Sequence, residues 1–368
     1  HYPLRRQRQM CIRDSLIGPP GTGKTSCALK KMVETFHADK DAQILLLSYT
    51  NRAVDEICKS LASIAPAVDF IRVGSELSCD EAYRGHLIEN ELSSCNRRSE
   101  VYERIRNCRI IVGTVAAISG KPELFRLKHF DVAIIDEATQ ILEPQLLGIL
   151  CARGEDGKDA IDKFVLIGDH KQLPAVVQQN TEQSAIYDES LLSIGLTNLK
   201  DSLFERLYRN CTATVHRSYD MLCRQGRMHP KVALFANRAF YGGHLIPVGL
   251  PHQIESSDTI CRLAFYPSVP EKAGASAKIN YSEARIVADL AVRIYEDHQT
   301  DFDESRTLGI ITPYRSQIAL IKKEIESLGI PALNRILVDT VERFQGSERD
   351  VIILSLIHIS EPTRPEPI

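Results

Sequence analysis

An α/β protein with parallel sheets in two units is what this sequence predicts, and three observations carry that expectation. Short, largely apolar runs at residues 44–47, 109–112, 132–135, 164–167 and 308–311 have the length and polar bounds of buried strands. Between them lie stretches with apolar positions at helical spacing, most plainly residues 281–297. Strand and helix alternating in this way lead to parallel pairing, since each parallel strand is reached by a crossover. The third observation stands at the head of the series, where residues 18–25 read GPPGTGKT.

That octet fits the P-loop spacing G-x-x-x-x-G-K-[ST]. Gly18, Pro19, Pro20, Gly21, Thr22 and Gly23 form the turn whose N–H groups would point at the α- and β-phosphates of a nucleotide. Lys24 would reach the β- and γ-phosphates, and the Thr25 hydroxyl would take one position on Mg²⁺. The bland alternative is a glycine-rich turn before a surface helix.

Length and composition set the frame. The chain has 368 residues, is 43% hydrophobic and 25% charged, and allows two or three domains with ample core. Its net charge of −3 excludes a global basic signature, so any nucleic-acid groove is local. The ten cysteines never form C-x₂-C and no histidine pair completes a zinc spacing, which favours reduced thiols in the cytoplasm over disulfides or metal. No apolar run approaches the roughly 18 residues of a membrane span.

Both ends read as foreign. Residues 5–15 (RRQRQMCIRDS) and 354–364 (LSLIHISEPTR) resemble translated library adapters. The back-translation of residues 355–359 has a reverse complement that encodes residues 10–13 in another frame. Residues 1–15 and 354–368 are therefore expected to be non-native tails, with residues 16–353 a native fragment.

The native part is expected to divide at residues 16–217 and 218–353, with a small polar insertion near 74–107. In order, residues 16–17 are a strand stub and 24–37 a helix. The strand at 44–47 runs into SYTNRAVDEI, where Thr50 and Asn51 stand at a sheet edge that binds ligands in α/β folds, or where Asn51 caps the next helix. Residues 70–73 make a strand, and the strand at 109–112 closes on Thr114, a second strand-end hydroxyl able to hold a phosphate. The strand at 132–135 ends in Asp136 and Glu137. Downstream of a P-loop this acidic pair suits hydrolysis, Asp136 holding Mg²⁺ and Glu137 deprotonating the attacking water; a solvated helix start is the alternative. The strand at 164–167 runs into GDHKQLPAV, where Gln172 could sense the γ-phosphate or residues 169–171 form a plain polar turn. A loop follows with a short helix, then a helix at 202–207. In the second unit QGRMHP supplies Arg227, an arginine suited to the γ-phosphate, ahead of a helix opened by Pro230. A helix at 281–297, strands at 308–311, 336–338 and 351–353 and a helix at 316–328 complete it, with Thr340, Gln345 and Gly346 at a strand–loop edge.

Taken together, GPPGTGKT, SYTNRAVDEI, VGT, DEATQ, GDHKQLPAV, QGRMHP, ITPYRSQ and VERFQGSERD resemble the superfamily 1 helicases, in particular the group containing the nonsense-mediated-decay RNA helicase and the Okazaki-fragment nuclease-helicase. The resemblance implies two RecA-like domains, the second incomplete, with ATP between them, a single DNA or RNA strand across both, and 5′→3′ movement. It implies Lys24 and Thr25 on phosphate and Mg²⁺, Asp136 on the metal, Glu137 as base, Gln172 and Arg227 on the γ-phosphate and Glu348 on the sugar. Thr50, Asn51, Thr114, Pro313 and Thr340 match positions that line the strand path. Gly226 stands where many relatives carry an aromatic that stacks on adenine, and Glu342 where aspartate is common. The last motif, with a second arginine finger, does not follow residue 353, which implies binding of Mg-ATP with poor hydrolysis by this chain. A nucleotide-gated strand-binding or scaffold module is the alternative. A P-loop kinase or GTPase leaves GDHKQLPAV and QGRMHP unexplained.

Overall fold

The protein is described here by a computed structural model that covers residues 15–213, 219–254, 262–268, 278–345 and 347–357. Most of the two adapter-like tails, and Gly346, lie outside the described residues. The chain falls into two compact units divided between Arg262 and Leu263.

The first unit is built on a seven-stranded parallel sheet in the order β3-β4-β2-β5-β6-β1-β7. Its strands are β1 (Ser15–Ile17), β2 (Ile44–Ser48), β3 (Phe70–Val73), β4 (Ile110–Thr114), β5 (Phe130–Ile135), β6 (Ile161–Gly168) and β7 (Tyr219–Met221). The apolar runs are continuous because both faces of the sheet are covered. Alternate residues of one strand enter opposite cores. Leu45 and Leu47 join Ile111, Ala133, Ile135 and Leu166, whereas Ile44 and Leu46 join Val112, Val132, Ile134 and Ile167.

Register brings the C-terminal ends of five strands into line. Ile17 lies opposite Gly168, Leu47 opposite Ile135, Ser48 opposite Thr114 and Ile135 opposite Leu166. The turns that follow therefore open on one edge, where ligands collect in parallel sheets. The expected insertion is a run of short helical turns ending in the helix Arg98–Asn107. Lys128, 5% exposed, binds this helix's end to the sheet by donating to the Ile105, Arg106 and Cys108 carbonyls at 3.3, 2.9 and 2.7 Å.

One boundary differs from the sequence reading, which opens the second unit at residue 218. Tyr219–Met221 pairs in parallel with Ser15–Ile17, so the segment through Arg262 belongs to the first unit. The pairing fills the open side of β1, a long-range event that no local pattern encodes. Next come β8 (Arg224–Gln225), the helix Pro230–Phe240 and β9 (Ile246–Pro247), which pairs with β8.

The second unit carries a three-stranded parallel sheet in the order β11-β10-β12, with β10 Leu308–Ile311, β11 Leu337–Asp339 and β12 Val351–Leu354. Ala284, Val287, Ala288 and Ala291 of the helix Tyr281–Asp297 and Leu320, Ile321 and Ile325 of the helix Arg315–Ser327 pack on Leu308, Ile310 and Val338. Asn280 caps the first of these helices by accepting from the Glu283 N–H at 2.9 Å, which explains why its start is legible. Past β12, Ile357 of the adapter-like run is buried with φ 69°, a left-handed conformation that a β-branched residue adopts only under strain.

Candidate functional site

The P-loop begins where β1 stops. Gly18 N–H donates to the Gly168 carbonyl at 2.9 Å, tying the loop to the end of β6. Inside the loop Thr22 donates from its hydroxyl to the Pro19 carbonyl at 2.7 Å. Gly21 and Gly23 have φ of 73° and 74°, left-handed values that glycine adopts without strain. Space constrains Gly21 as well, since a Cβ there would stand 2.4 Å from the Arg227 Cβ. The helix expected at 24–37 opens with a wider π-helical turn, Lys24–Leu29, before the α-helix Lys30–His37. A helix N-terminus leaves its first N–H groups without intrahelical partners, which suits the loop to an anion.

The acidic pair meets this loop directly. Thr25 Oγ1 donates to Asp136 Oδ2 at 2.5 Å, and Lys24 Nζ pairs with Glu137 Oε1 at 2.8 Å. Asp136 is 1% exposed and accepts the Glu137 N–H at 2.9 Å. Burial, and then the neighbouring Glu137, push its carboxyl up to about 6. Such a group gains from a cation at the Thr25–Asp136 pair. A hydroxyl and a carboxylate oxygen this close are the hard oxygen donors that Mg²⁺ prefers, so the residues fit that ion. Glu137 itself has φ 52°, an unusual conformation for a non-glycine residue that turns its carboxylate toward Lys24.

Gln140, to which the sequence reading gives no role, donates from Nε2 to Glu137 Oε2 at 3.2 Å. Its signal was present: three residues past Glu137 in DEATQ, it closes one short helical turn over the carboxylate.

Gln172 lies on the turn after β6, its Nε2 donating to Asp169 Oδ2 at 2.8 Å. Asp169 is fully buried and also accepts the Lys171 N–H at 3.0 Å and the Tyr241 hydroxyl at 2.7 Å. Burial, then the Asp169 carboxylate, push the Tyr241 phenol well above its ordinary range, so it stays a donor. His170 stacks on Tyr208 with centroids 4.1 Å apart, and burial followed by Lys171 lowers its pKa.

Arg227 is carried to the P-loop by its backbone, since Gly226 N–H donates to the Gly21 carbonyl at 2.8 Å. The buried Gln225 fixes that turn from beneath. Its amide donates to the Met228 carbonyl at 2.7 Å and accepts the Met228 N–H at 2.8 Å. Gln253 adds bonds of 3.0 Å to the Gln225 and Met228 carbonyls. Lys24, Thr25, Asp136, Glu137 and the Arg227 turn thus converge, while Gln172 is turned onto Asp169.

The expected strand-contact residues of this unit lie further along the same edge. Thr50, rather than Asn51, caps the helix Asn51–Ala62 by accepting the Ala53 N–H at 3.1 Å. Thr114 does the same for the Ala117 N–H at 3.1 Å. In each case the oxygen is engaged as acceptor and the O–H remains a possible donor. In the second unit Pro313 and Thr340 follow the ends of β10 and β11. Glu348 lies on the loop that leads back to β12.

A glycine-rich turn at the head of a parallel sheet, facing a buried aspartate and a lysine-paired glutamate, defines a P-loop protein of the α/β class. Models described as an AAA domain match residues 5–100 and 86–180 in one case and 199–364 in the other. The chain is 30% identical over 382 residues to the "DNA replication ATP-dependent helicase/nuclease DNA2" of Xenopus laevis, covering 93% of this chain and 32% of that protein. It is 30% identical to the protein of the same name from Gallus gallus, over 94% of this chain and 31% of that one. A "Regulator of nonsense transcripts 1 homolog" of Neurospora crassa is 26% identical over 94% of this chain and 33% of its own length. The chain belongs to the superfamily 1 helicases, and it spans about a third of the length of these relatives.

Proposed function

We propose that this chain is the motor part of an ATP-dependent nucleic-acid helicase that moves 5′→3′ along single strands. The observation that carries the reading is the paired contact of Thr25 with Asp136 and Lys24 with Glu137. A protein that only bound nucleotide would have no need of a glutamate held at the γ-phosphate end of the loop. The direction rests on DEATQ and GDHKQLP, which resemble the 5′→3′ group.

In this mechanism the loop N–H groups of residues 18–23 cradle the phosphates, and Lys24 leaves Glu137 for the β- and γ-oxygens. Thr25 and Asp136 would hold Mg²⁺, which would supply positive charge against the phosphates. Glu137, freed from Lys24 and oriented by Gln140, takes the proton from the attacking water. Arg227 stabilises charge on the γ-phosphate, Gln172 registers its presence, and Glu348 contacts the sugar. Thr50, Asn51, Thr114, Pro313 and Thr340 contact the sugar–phosphate backbone of the strand, independently of base and more weakly as salt rises.

The relatives' names speak of DNA replication for some and nonsense transcripts for others, so the substrate is proposed as single-stranded nucleic acid of either kind. An adapter-like run, rather than an arginine motif, follows β12, so residues 1–368 are proposed to bind Mg-ATP and turn it over slowly. The missing finger costs about 10³–10⁵ in rate.

The test is phosphate release with and without single-stranded DNA or RNA, on residues 1–368 and on the full-length gene product. Strand-stimulated release and strand displacement by the full-length protein, both lost in Glu137→Gln, support the motor. ATP-dependent strand binding without release or displacement would favour the nucleotide-gated binding module instead.

A further inference from the structure

We infer that Tyr241 is a positioning residue for nucleotide sensing, acting on Gln172 through the carboxylate that both residues share. The inference rests on the proposed role of Gln172 and adds a residue to it. Asp169 Oδ2 accepts Gln172 Nε2 at 2.8 Å and the Tyr241 hydroxyl at 2.7 Å, while Oδ1 accepts the Lys171 N–H at 3.0 Å. With no exposed surface, this carboxylate has no water to replace a lost donor. The position of Oδ2, and of the amide fixed to it, is therefore set by Tyr241.

Tyr241 is itself firmly held. It is 7% exposed, its N–H donates to the Asn237 carbonyl at 3.1 Å, and its carbonyl lies 2.8 Å from His244 Nδ1. It stands one residue past the helix Pro230–Phe240, whose N-terminus follows the Gln225–Met228 turn that carries Arg227. By contrast, residues 170–179 have no regular secondary structure, and Leu173 and Val176 are exposed. One buried bond therefore joins the element behind Arg227 to the irregular segment that carries Gln172. A displacement of the Arg227 turn when the γ-phosphate binds reaches Gln172 along that helix, and the reverse holds by linkage.

The test compares dissociation constants of Mg-ADP and of a non-hydrolysable β,γ-imido ATP for the wild-type chain, Tyr241→Phe, Gln172→Ala and the double variant. Tyr241→Phe keeps the ring and removes one O–H. It is expected to lower the preference for the triphosphate by about 5- to 10-fold, with ADP affinity unchanged within about twofold. In the Gln172→Ala background the same change is expected to do nothing further, because its effect passes through the amide. A lower melting temperature with an unchanged triphosphate preference would overturn the inference, and so would additive losses in the double variant. Should Tyr241→Phe fail to fold, Asp169→Asn removes the shared anion and must give the same loss of preference; an unchanged preference there overturns the inference too. Failure of the parent reading looks different: ADP binding indifferent to Lys24→Ala removes the nucleotide-site assignment, and Gln172→Ala without effect on the triphosphate removes the sensing role of Gln172; either takes this inference with it.

Discussion

Replacing Glu137 by glutamine separates two roles that one carboxylate holds. Its Oε1 lies 2.8 Å from Lys24 Nζ, and the two side chains are only 22% and 11% exposed. A charge-assisted hydrogen bond in such a place contributes about 1.5–3 kcal/mol. An incoming phosphate must break it before Lys24 is free. The amide of glutamine keeps the shape and an acceptor but removes the opposing charge, so the ion-pair part of the interaction, about 1 kcal/mol at a partly exposed site, is lost. Nucleotide affinity should therefore rise by about 1 kcal/mol, close to 5-fold. Hydrolysis should fall by about 10²–10⁴, the usual contribution of a general base. Titration with a fluorescent ATP analogue reads the first quantity and phosphate release the second. A glutamine variant that binds ATP no more tightly than wild type would refute the claim that the Lys24–Glu137 pair opposes nucleotide entry. Glu137→Gly is a useful companion, since φ 52° strains glutamate and not glycine. It should bind as tightly and hydrolyse as poorly, in a fold at least as stable.

Thr114→Asp keeps a good helix cap and sets a negative charge on the proposed strand path. Single-strand affinity should drop about 10-fold, as fluorescence anisotropy would report. Lys128→Met leaves three carbonyls without their shared donor and should cost about 2–4 kcal/mol in urea unfolding. His170 has a pKa held below 6.5 by burial, so the fold favours its neutral form. That stability is present above pH 6.5 and is lost as pH falls below it. Melting temperatures between pH 7.5 and 5.5 should thus decline less in His170→Phe, which keeps the stack on Tyr208, than in the wild type.

The strands were legible because central strands of a parallel sheet are buried on both faces and leave continuous apolar runs. Residues 308–311, the central strand of the second sheet, match their strand end to end for that reason, and the edge strand at residues 70–73 does so because all four of its residues are buried. The helix Tyr281–Asp297 was legible because a cap at Asn280, an acidic residue at Glu283 and a long apolar stripe agree. Lys24, Thr25, Asp136 and Glu137 were legible as a spacing with a phosphate chemistry behind it, and the fold draws them together.

What stayed hidden depends on distance along the chain. The Asp169–Tyr241 bond spans 72 residues, and the Lys128 contacts span 20 to 23. Neither has a local pattern. The pairing of Tyr219 with Ser15 is hidden in the same way and moves a unit boundary by over forty residues. Thr50 and Thr114 show a subtler limit. A strand-end hydroxyl reads equally as helix cap and as phosphate donor, and geometry alone assigns the first use.

The central claim is that residues 18–25 with Asp136 form a Mg-nucleotide site, and one titration tests it most directly. Fluorescent ATP is titrated into the chain with and without Mg²⁺, beside Lys24→Ala and Asp136→Asn. The account predicts saturable binding that is strengthened by Mg²⁺ in the wild type, lost in Lys24→Ala and indifferent to Mg²⁺ in Asp136→Asn. Equal binding by all three proteins, with or without Mg²⁺, would contradict it.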